Sequence, residues 1–332
     1  MPVPVLTFFN NARGVGKTAL AYHLAVMLSR GGVRVLVCDW DPQARLTAAF
    51  LGESVLEGLW TWAAPDRIVT VFRAIQPLFS GGELAAPLVR SLMPDLGILP
   101  GDPALAVLEE PLQQRWLRSG AVGSSAEALR SVAGLWQAAQ AGAEAMEADL
   151  VLADVGPGFN ALNRCALCSS DFIVIPVTAE LFSLQALRHL GPPVREWRES
   201  WKRLRAECDA PAADLPSGAM EVIGYLFQEH AVGPQRASGA CRRWAEQLPE
   251  AYRTSILGES PAEGLPLPFD DPFCLAVLKP FLSLTSMAEE ARKPIFDLTL
   301  ADGAMGGHAQ VVQMADRDFR AVAATIRARI GV

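Results

Sequence analysis

Nine residues near the start of the chain, Asn10-Asn11-Ala12-Arg13-Gly14-Val15-Gly16-Lys17-Thr18, have the types and spacing that cradle a phosphate. Gly14 and Gly16 let the backbone bend so that its N–H groups turn inward onto anionic oxygens, and a following helix adds a favourable dipole. Lys17 would neutralise the β- and γ-phosphates of a nucleotide, and the Thr18 hydroxyl would reach Mg²⁺. The general phosphate-loop pattern has a glycine five residues before Gly16, where this chain has Asn11. An ordinary glycine-rich turn is the plain alternative. An apolar run before the loop and an amphipathic pattern after it favour the phosphate site, because that is where an anion meets a helix N-terminus.

Two further constellations carry carboxylates. In Val35-Leu36-Val37-Cys38-Asp39-Trp40-Asp41-Pro42-Gln43, two acids two residues apart end an apolar strand and project to one side. That is where ligands of an open α/β sheet bind. One acid could orient Mg²⁺ through water while the other positions an attacking water. In Leu150–Asn160, LVLADVGPGFN, Asp154 ends a second buried strand and Gly156-Pro157-Gly158 permits a turn beside phosphate. Asp154 then has the place of the Mg²⁺-side carboxylate of a nucleotide hydrolase. The plain readings are a solvated strand end for the pair and a helix N-cap for Asp154.

Positioning these residues requires strands that end together. Apolar runs predict strands at Val3–Phe9, Val33–Val37, Leu96–Leu99, Asp149–Asp154, Phe172–Val177 and Glu221–Phe227. Helical spacing predicts helices over Thr18–Arg30, Ala104–Arg118 and Ser125–Glu147, with Gly31-Gly32 stopping the first. A C-terminal helix carries Val312, Ala315, Phe319, Val322, Ile326 and Ile330 on one stripe. Ala210–Gly218 and Glu259–Asp270 read as loops. Continuous apolar strands alternating with helices define an α/β chain, a mostly parallel sheet covered by helices on both faces. Residues 52–148 read as a helical elaboration within one domain spanning 1–332.

The composition sets outer limits. With 332 residues and 51% hydrophobic content, the chain can bury a large core and is not disordered. Eighteen uninterrupted apolar residues occur nowhere, which argues against a transmembrane span. The first residues, Met1 to Leu6, lack a basic region, which argues against a secretory signal. Six scattered cysteines form no disulfide framework, so a reducing cytoplasm is expected. A net charge of −7 disfavours a basic coat protein for nucleic acid while leaving room for a local basic patch.

Taken together, NNARGVGKTAL, DWDPQ, ADVGPG and DFIVIPVTAELFSLQAL resemble, in order and approximate spacing, the ParA branch of the ParA/MinD family of deviant Walker A ATPases. KPFLSLTSMAEEARKPIFDL is similar to the C-terminal region of that branch, so the likeness covers nearly the whole chain. The resemblance implies a P-loop NTPase fold of the SIMIBI type and Mg-ATP as ligand. It also implies a nucleotide-sandwich homodimer, non-specific DNA binding in many members, and slow hydrolysis stimulated by a ParB-like or other partner. Carried over by position, Asn11, Arg13, Val15 and Ala19 join Gly14, Gly16, Lys17 and Thr18 around the nucleotide. Thr18, Asp39 and Asp154 fall on the metal side, and Lys17 and Asp41 serve hydrolysis, Asp41 beside the water.

One departure matters. The family's signature lysine, which reaches the partner's phosphates, falls at position 12, and this chain has Ala12 followed by Arg13 in place of a glycine. A cation acting in trans on a transferring phosphoryl group can be worth about 10³–10⁵ in rate. Three readings stay open: Arg13 makes the trans contact, the protein binds ATP as an adaptor with little turnover, or a cation such as Lys279 serves. In the C-terminal half, Arg236, Arg242, Arg243 and Arg253 with Lys279 form a dispersed basic set that could meet DNA. The helix VREWRESWKRLR is read as solvated, with Trp197 and Trp201 packed inward. Cys165-x-x-Cys168 invites a metal cluster, but packing of small apolar side chains accounts for it better. None of His23, His189, His230 and His308 joins a metal or triad arrangement, and His23 is read as structural. The final apolar stripe is expected to pack on the sheet, so no stable membrane association is anticipated.

Overall fold

The computed structural model describes residues 1–60, 70–119, 126–208, 214–229, 240–262, 264–279, 281 and 283–332. In chain order the first half runs β1 (Val5–Phe8), α1 (Lys17–Arg30), β2 (Val35–Asp39), α2 (Arg45–Phe50), α3 (Glu53–Trp60), α4 (Val71–Ile75), β3 (Arg90–Met93), β4 (Leu96–Leu99), α5 (Glu109–Ser119), α6 (Ala126–Val132) and α7 (Gly134–Ala145). The second half runs β5 (Leu150–Asp154), α8 (Ala161–Cys168), β6 (Phe172–Thr178), α9 (Leu181–Ala206), β7 (Glu221–Gln228), α10 (Ala240–Ala245), α11 (Leu248–Tyr252), β8 (Cys274–Leu278), α12 (Ser283–Ala291) and α13 (Gly307–Ile330). The sheet order is β3-β4-β2-β5-β1-β6-β7-β8. Every neighbouring pair is parallel except β3 with β4.

Period-two alternation divides each central strand between two cores. Leu6, Phe8, Val35, Val37, Leu150 and Leu152 face α1, α12 and α13. Val5, Leu36, Cys38, Val151 and Ala153 face α4 to α9. Phe319 of α13, 3% exposed, stacks on His23 and meets Phe296 edge-on, so the C-terminal stripe, expected on the sheet, packs on α1 and shares one core with Leu275 and Leu278 of β8. Burying such a ring is worth about 1.5–3 kcal/mol.

Several expectations need correction. The stretch 52–148 holds two strands, since β3 pairs antiparallel with β4 at the sheet edge. Its residues Arg90-Ser91-Leu92-Met93 are two polar and two apolar, none of them buried, and carry no apolar run long enough to announce a strand. The strand β8 was also unforeseen, a five-residue edge strand after a proline-rich loop. The helix expected at 104–118 begins as a 3-10 turn, Pro103–Leu108, before α5. The helix expected at 125–147 is two helices that meet at Ala133. Helices α4, α6 and α7 contribute Val71, Leu129 and Trp136 to the same core as α8 and α9. Part of the expected 210–218 loop, together with Arg236 and His230, lies outside the described residues.

Candidate functional site

The loops after β1, β2, β5, β6 and β7 emerge on one rim because these strands run parallel. The phosphate loop bends where glycine permits it, with φ of 74° at Gly14 and 73° at Gly16. Buried Asn10 braces the turn: its Nδ2 donates to the Pro176 carbonyl at 2.8 Å, and its Oδ1 accepts from Ala12 N–H at 2.9 Å. The Lys17 ammonium donates to the carbonyls of Asn10 and Ala12 at 2.9 and 2.8 Å. Burial pushes its pKa below the usual lysine value, opposed by Asp154 and Asp41. Arg13, Gly14, Val15, Gly16, Lys17, Thr18 and Ala19 all line a cavity of about 690 Å³ that Asp41, Gln43 and Pro157 also border. Asn11 lies beside this set, with its Oδ1 buried and unbonded among the described residues.

Thr18 Oγ1 donates to Asp154 Oδ2 at 2.7 Å, joining the start of α1 to the end of β5. Asp154 is fully buried, and its second oxygen, Oδ1, has no partner among the described residues. Burial raises its pKa well above the carboxylate range, and the neighbouring charges of Asp39 and Asp41 push the same way. Asp154 does not cap a helix: Asn160 caps α8, its Oδ1 accepting from Asn163 N–H at 2.8 Å. Asn163 Nδ2 in turn donates to the carbonyls of Gly156 and Gly158, fixing the turn beside Asp41. The unpaired buried Asp154 Oδ1 and the Thr18 hydroxyl are oxygen donors of the kind a hard divalent cation takes.

The acidic pair separates in depth. Asp41 reaches the cavity, its Oδ1 accepting from Gln43 N–H at 2.9 Å. Asp39, expected on the metal side, stands back from the cavity wall and is fully buried. Its Oδ2 accepts from both the N–H and the Oγ1 of Thr47, at 2.8 and 2.7 Å, and its Oδ1 from Asp41 N–H at 3.2 Å. Gly101 N–H donates to the same Thr47 hydroxyl at 2.8 Å, so Asp39 ties α2 and the end of β4 to β2. Burial pushes Asp39 up to about 6 against these hydrogen bonds. Of the pair, Asp41 borders the cavity and Asp39 does not.

Sequence reasoning missed two neighbours of the site. Gln228, at the end of β7, donates from Nε2 to the Val15 carbonyl at 2.7 Å. Glu109, the first residue of α5, accepts the N–H groups of Ala161 and Leu162 at the start of α8, at 2.5 and 3.1 Å. Neither belongs to a short local pattern.

The basic candidates lie away from the cavity. Arg242 is exposed and pairs with Glu246 at 2.9 Å. Arg243 lies 4.9 Å over the Trp244 ring, and Lys279 is exposed. Arg253 drops out of this set because it is an internal partner of buried Asp271, at 2.8 Å. Trp201 is fully buried and donates to the Pro216 carbonyl, so that helix packs as expected. Cys165 and Cys168 are both core residues, and burial drives their thiol pKa values up. His23 is also structural: its Nε2 accepts from Ile295 N–H at 3.0 Å, so Nδ1–H donates to the Ala19 carbonyl at 2.7 Å.

An AAA domain family (AAA_31) matches residues 3–205, more than half of the chain. The chromosome partitioning protein ParA of Caulobacter vibrioides is 27% identical over 199 residues, covering 60% of this chain and 65% of that protein. The chromosome-partitioning ATPase Soj of Thermus thermophilus is 31% identical over 189 residues, covering 57% of this chain and 60% of that protein. The match thus spans less than two thirds of these relatives' lengths. Among solved structures, protein DIP2308 of Corynebacterium diphtheriae superposes with a TM-score of 0.66 at 21% identity, covering 99% of both chains. A variant of Cyanothece McdA solved with ATP superposes with a TM-score of 0.62 at 15% identity, covering 99% of this chain and 97% of that one. These structures share the fold: a mostly parallel sheet with helices on both faces. The family match and the partition relatives carry the assignment further, and the chain belongs to the ParA/MinD family of P-loop ATPases.

Proposed function

We propose that this chain is a ParA-like switch with a deviant Walker A loop, which binds Mg-ATP in the cleft of the phosphate loop, pairs as a nucleotide-sandwich dimer, and resets by slow, partner-stimulated hydrolysis. The observation that carries this is the Thr18–Asp154 hydrogen bond beside the unpartnered Asp154 Oδ1, directly under the Lys17 loop. Thr18 and Asp154 would hold Mg²⁺, which when bound neutralises charge on the β- and γ-phosphate oxygens. Lys17 would exchange its two carbonyl partners for phosphate oxygens, and the loop N–H groups would supply the remaining donors. Asp41 orients the attacking water and accepts its proton. Arg13, exposed at the mouth, is the cation positioned to serve in place of the signature lysine that Ala12 lacks.

Dimerisation across the rim is supported by apolar side chains left in solvent there. Phe182 is 81% exposed, and Phe159 and Leu181 are 39% and 41% exposed. They lie on the segments that follow β5 and β6, beside the phosphate loop. Arg242, Arg243 and Lys279 are the cations available for non-specific DNA contact, and a ParB-like activator is the expected partner. Ala12 favours a second reading, an adaptor that senses ATP without turning it over. The chain has no described helix long and apolar enough to cross a membrane.

Solution mass by light scattering with Mg-ATP, Mg-ADP and no nucleotide, alongside Lys17→Ala, tests the switch. A dimer with ATP alone, lost in Lys17→Ala, is expected. One mass in every state would remove the dimer mechanism and leave only a nucleotide-binding site.

A further inference from the structure

Arg45 and Arg292 line the same cavity as Arg13 and Lys17, and the helices place these two arginines at opposite ends of it. Helix α2 leaves the rim loop that carries Asp41 and ends with Phe50, whose ring centroid lies 4.6 Å from that of Tyr22 in α1. Tyr22 is four residues beyond Thr18 along α1, a rise of about 6 Å, and Arg45 is five residues back along α2 from Phe50, about 7.5 Å. Leu46, beside Arg45, is buried in the core that contains Leu20. The first residue of α2 therefore lies toward the phosphate end of α1, and Phe50 lies away from it. Arg292 stands at the other end, its guanidinium packed on Gly52, two residues past α2, where a Cβ would come within 2.5 Å of Nη1.

Three features fix where Arg45 stands. The Asp41 carbonyl accepts from Ala44 N–H at 2.8 Å, which closes a tight turn over Pro42-Gln43. Buried Ala44 enters α2 in the left-handed region, with φ of 47°, a conformation alanine adopts only under strain. Thr47 is held by Asp39 through both its N–H and its hydroxyl. Helix positions two apart point about 200° apart around the axis, so the brace on Thr47 turns Arg45 outward, toward the cavity. Arg45 is exposed, and its guanidinium has no partner among the described residues. A guanidinium with no carboxylate to engage it suits two-point contact with phosphate oxygens. It stands on the Asp41 side of the cleft, and Asp41 marks the terminal phosphate, because the attacking water lies beyond that group.

We propose that Arg45 is a cation acting in cis: it binds the terminal phosphate of the nucleotide in its own chain's cleft and supplies part of the charge that Ala12 lacks. The inference rests on the Mg-ATP cleft proposed above and leaves Arg13 to act on the partner's nucleotide. The test is equilibrium dialysis of the full chain against Mg-ADP and against the magnesium complex of β,γ-imido-ATP, an analogue that is not hydrolysed, for wild type, Arg45→Ala and Arg45→Lys. Arg45→Ala is expected to bind the imido analogue about tenfold to a hundredfold more weakly than wild type while its affinity for Mg-ADP stays within about twofold. Arg45→Lys keeps the charge without the planar fork and is expected to fall between the two. The loss is expected at chain dilutions where light scattering with the imido analogue gives the mass of one chain. A loss confined to the dimer overturns the cis contact. An equal loss for both ligands, or none for either, overturns the role of Arg45 and leaves the cleft intact. Should the wild type bind neither ligand, the cleft itself falls, and this inference with it.

Discussion

Replacing Gly16 by alanine should cost more than replacing Gly14, although both glycines sit at nearly the same backbone angle. Their φ values are 73° and 74°, so either alanine would enter the left-handed region at about 1–2 kcal/mol. At Gly14 nothing lies within 4 Å of the new Cβ, and strain is the whole cost. At Gly16 the Cβ would come within 2.6–3.0 Å of three atoms of the Gln228 amide. The amide must swing away and release the 2.7 Å bond to Val15, adding about 0.5–1.5 kcal/mol. Gly14→Ala should therefore destabilise by about 1–2 kcal/mol and Gly16→Ala by about 1.5–3.5 kcal/mol. Urea unfolding of both variants measures the difference, and the same pair in a Gln228→Ala background assigns it. There the excess at Gly16 should vanish, because no amide remains to displace, while the strain at both positions persists. Equal costs for the two glycines, or an excess at Gly16 that persists without Gln228, would refute the reasoning about the clamp.

Four other outcomes follow from the geometry. Asp41→Ala should retain Mg-ATP binding while partner-stimulated phosphate release falls to background; normal turnover would remove Asp41 from the chemistry. Arg13→Ala should lose the stimulated component of hydrolysis, and an unchanged stimulated rate would return the trans cation to another residue. Burial pushes His23 down to about 4, so between that value and about 6.5 the unfolded chain takes up a proton that the folded chain refuses. Stability should then fall by about 3 kcal/mol as pH drops through this window, and His23→Gln should flatten that part of the urea-stability profile; an equally steep variant would show that other groups cause it. Arg242→Glu with Arg243→Glu should weaken binding to arbitrary duplex DNA and reduce its salt dependence, whereas equal binding would move any DNA contact elsewhere.

The parts of the site visible in the sequence are those whose chemistry is contiguous. The loop from Asn10 to Thr18 announces itself because anion binding there uses consecutive backbone N–H groups, with glycines where the chain must turn. Asp154 is legible because it ends an unbroken apolar run, and Asp39 and Asp41 because they close the run Val35–Cys38; the end of such a run marks the ligand rim of a parallel sheet. The edge strand β3 was hidden for the opposite reason: an edge strand needs only one partner and a partly buried face, and Arg90-Ser91 interrupts any apolar run there. The strand β8, Cys274–Leu278, is a continuous apolar run that the sequence analysis passed over after the Glu259–Asp270 loop.

Asp39 and Arg253 show the limit of reading charge from position. Asp39 has the spacing of a metal-side acid, yet Thr47 and Gly101 fold over it and turn it into a brace. Arg253 belongs to the dispersed basic set of the C-terminal half but pairs inside the protein with Asp271. Burial and partner choice depend on which elements pack together, and spacing along one strand carries no record of that.

From the residues alone came the α/β architecture, the phosphate loop, the strand-end acids Asp39, Asp41 and Asp154 as one group, and the resemblance to partition ATPases. These are short-range properties, set by periodicity and by motifs of a few consecutive residues. Only the tertiary structure decided that Asp41 meets the cavity while Asp39 does not, that Thr18 and Asp154 join, and that Gln228 clasps the loop. The Gln228–Val15 bond closes across 213 residues and the His23–Ile295 bond across 272. Contacts at that separation are fixed by the order in which strands enter the sheet and by the helices that cover it, which no local pattern encodes.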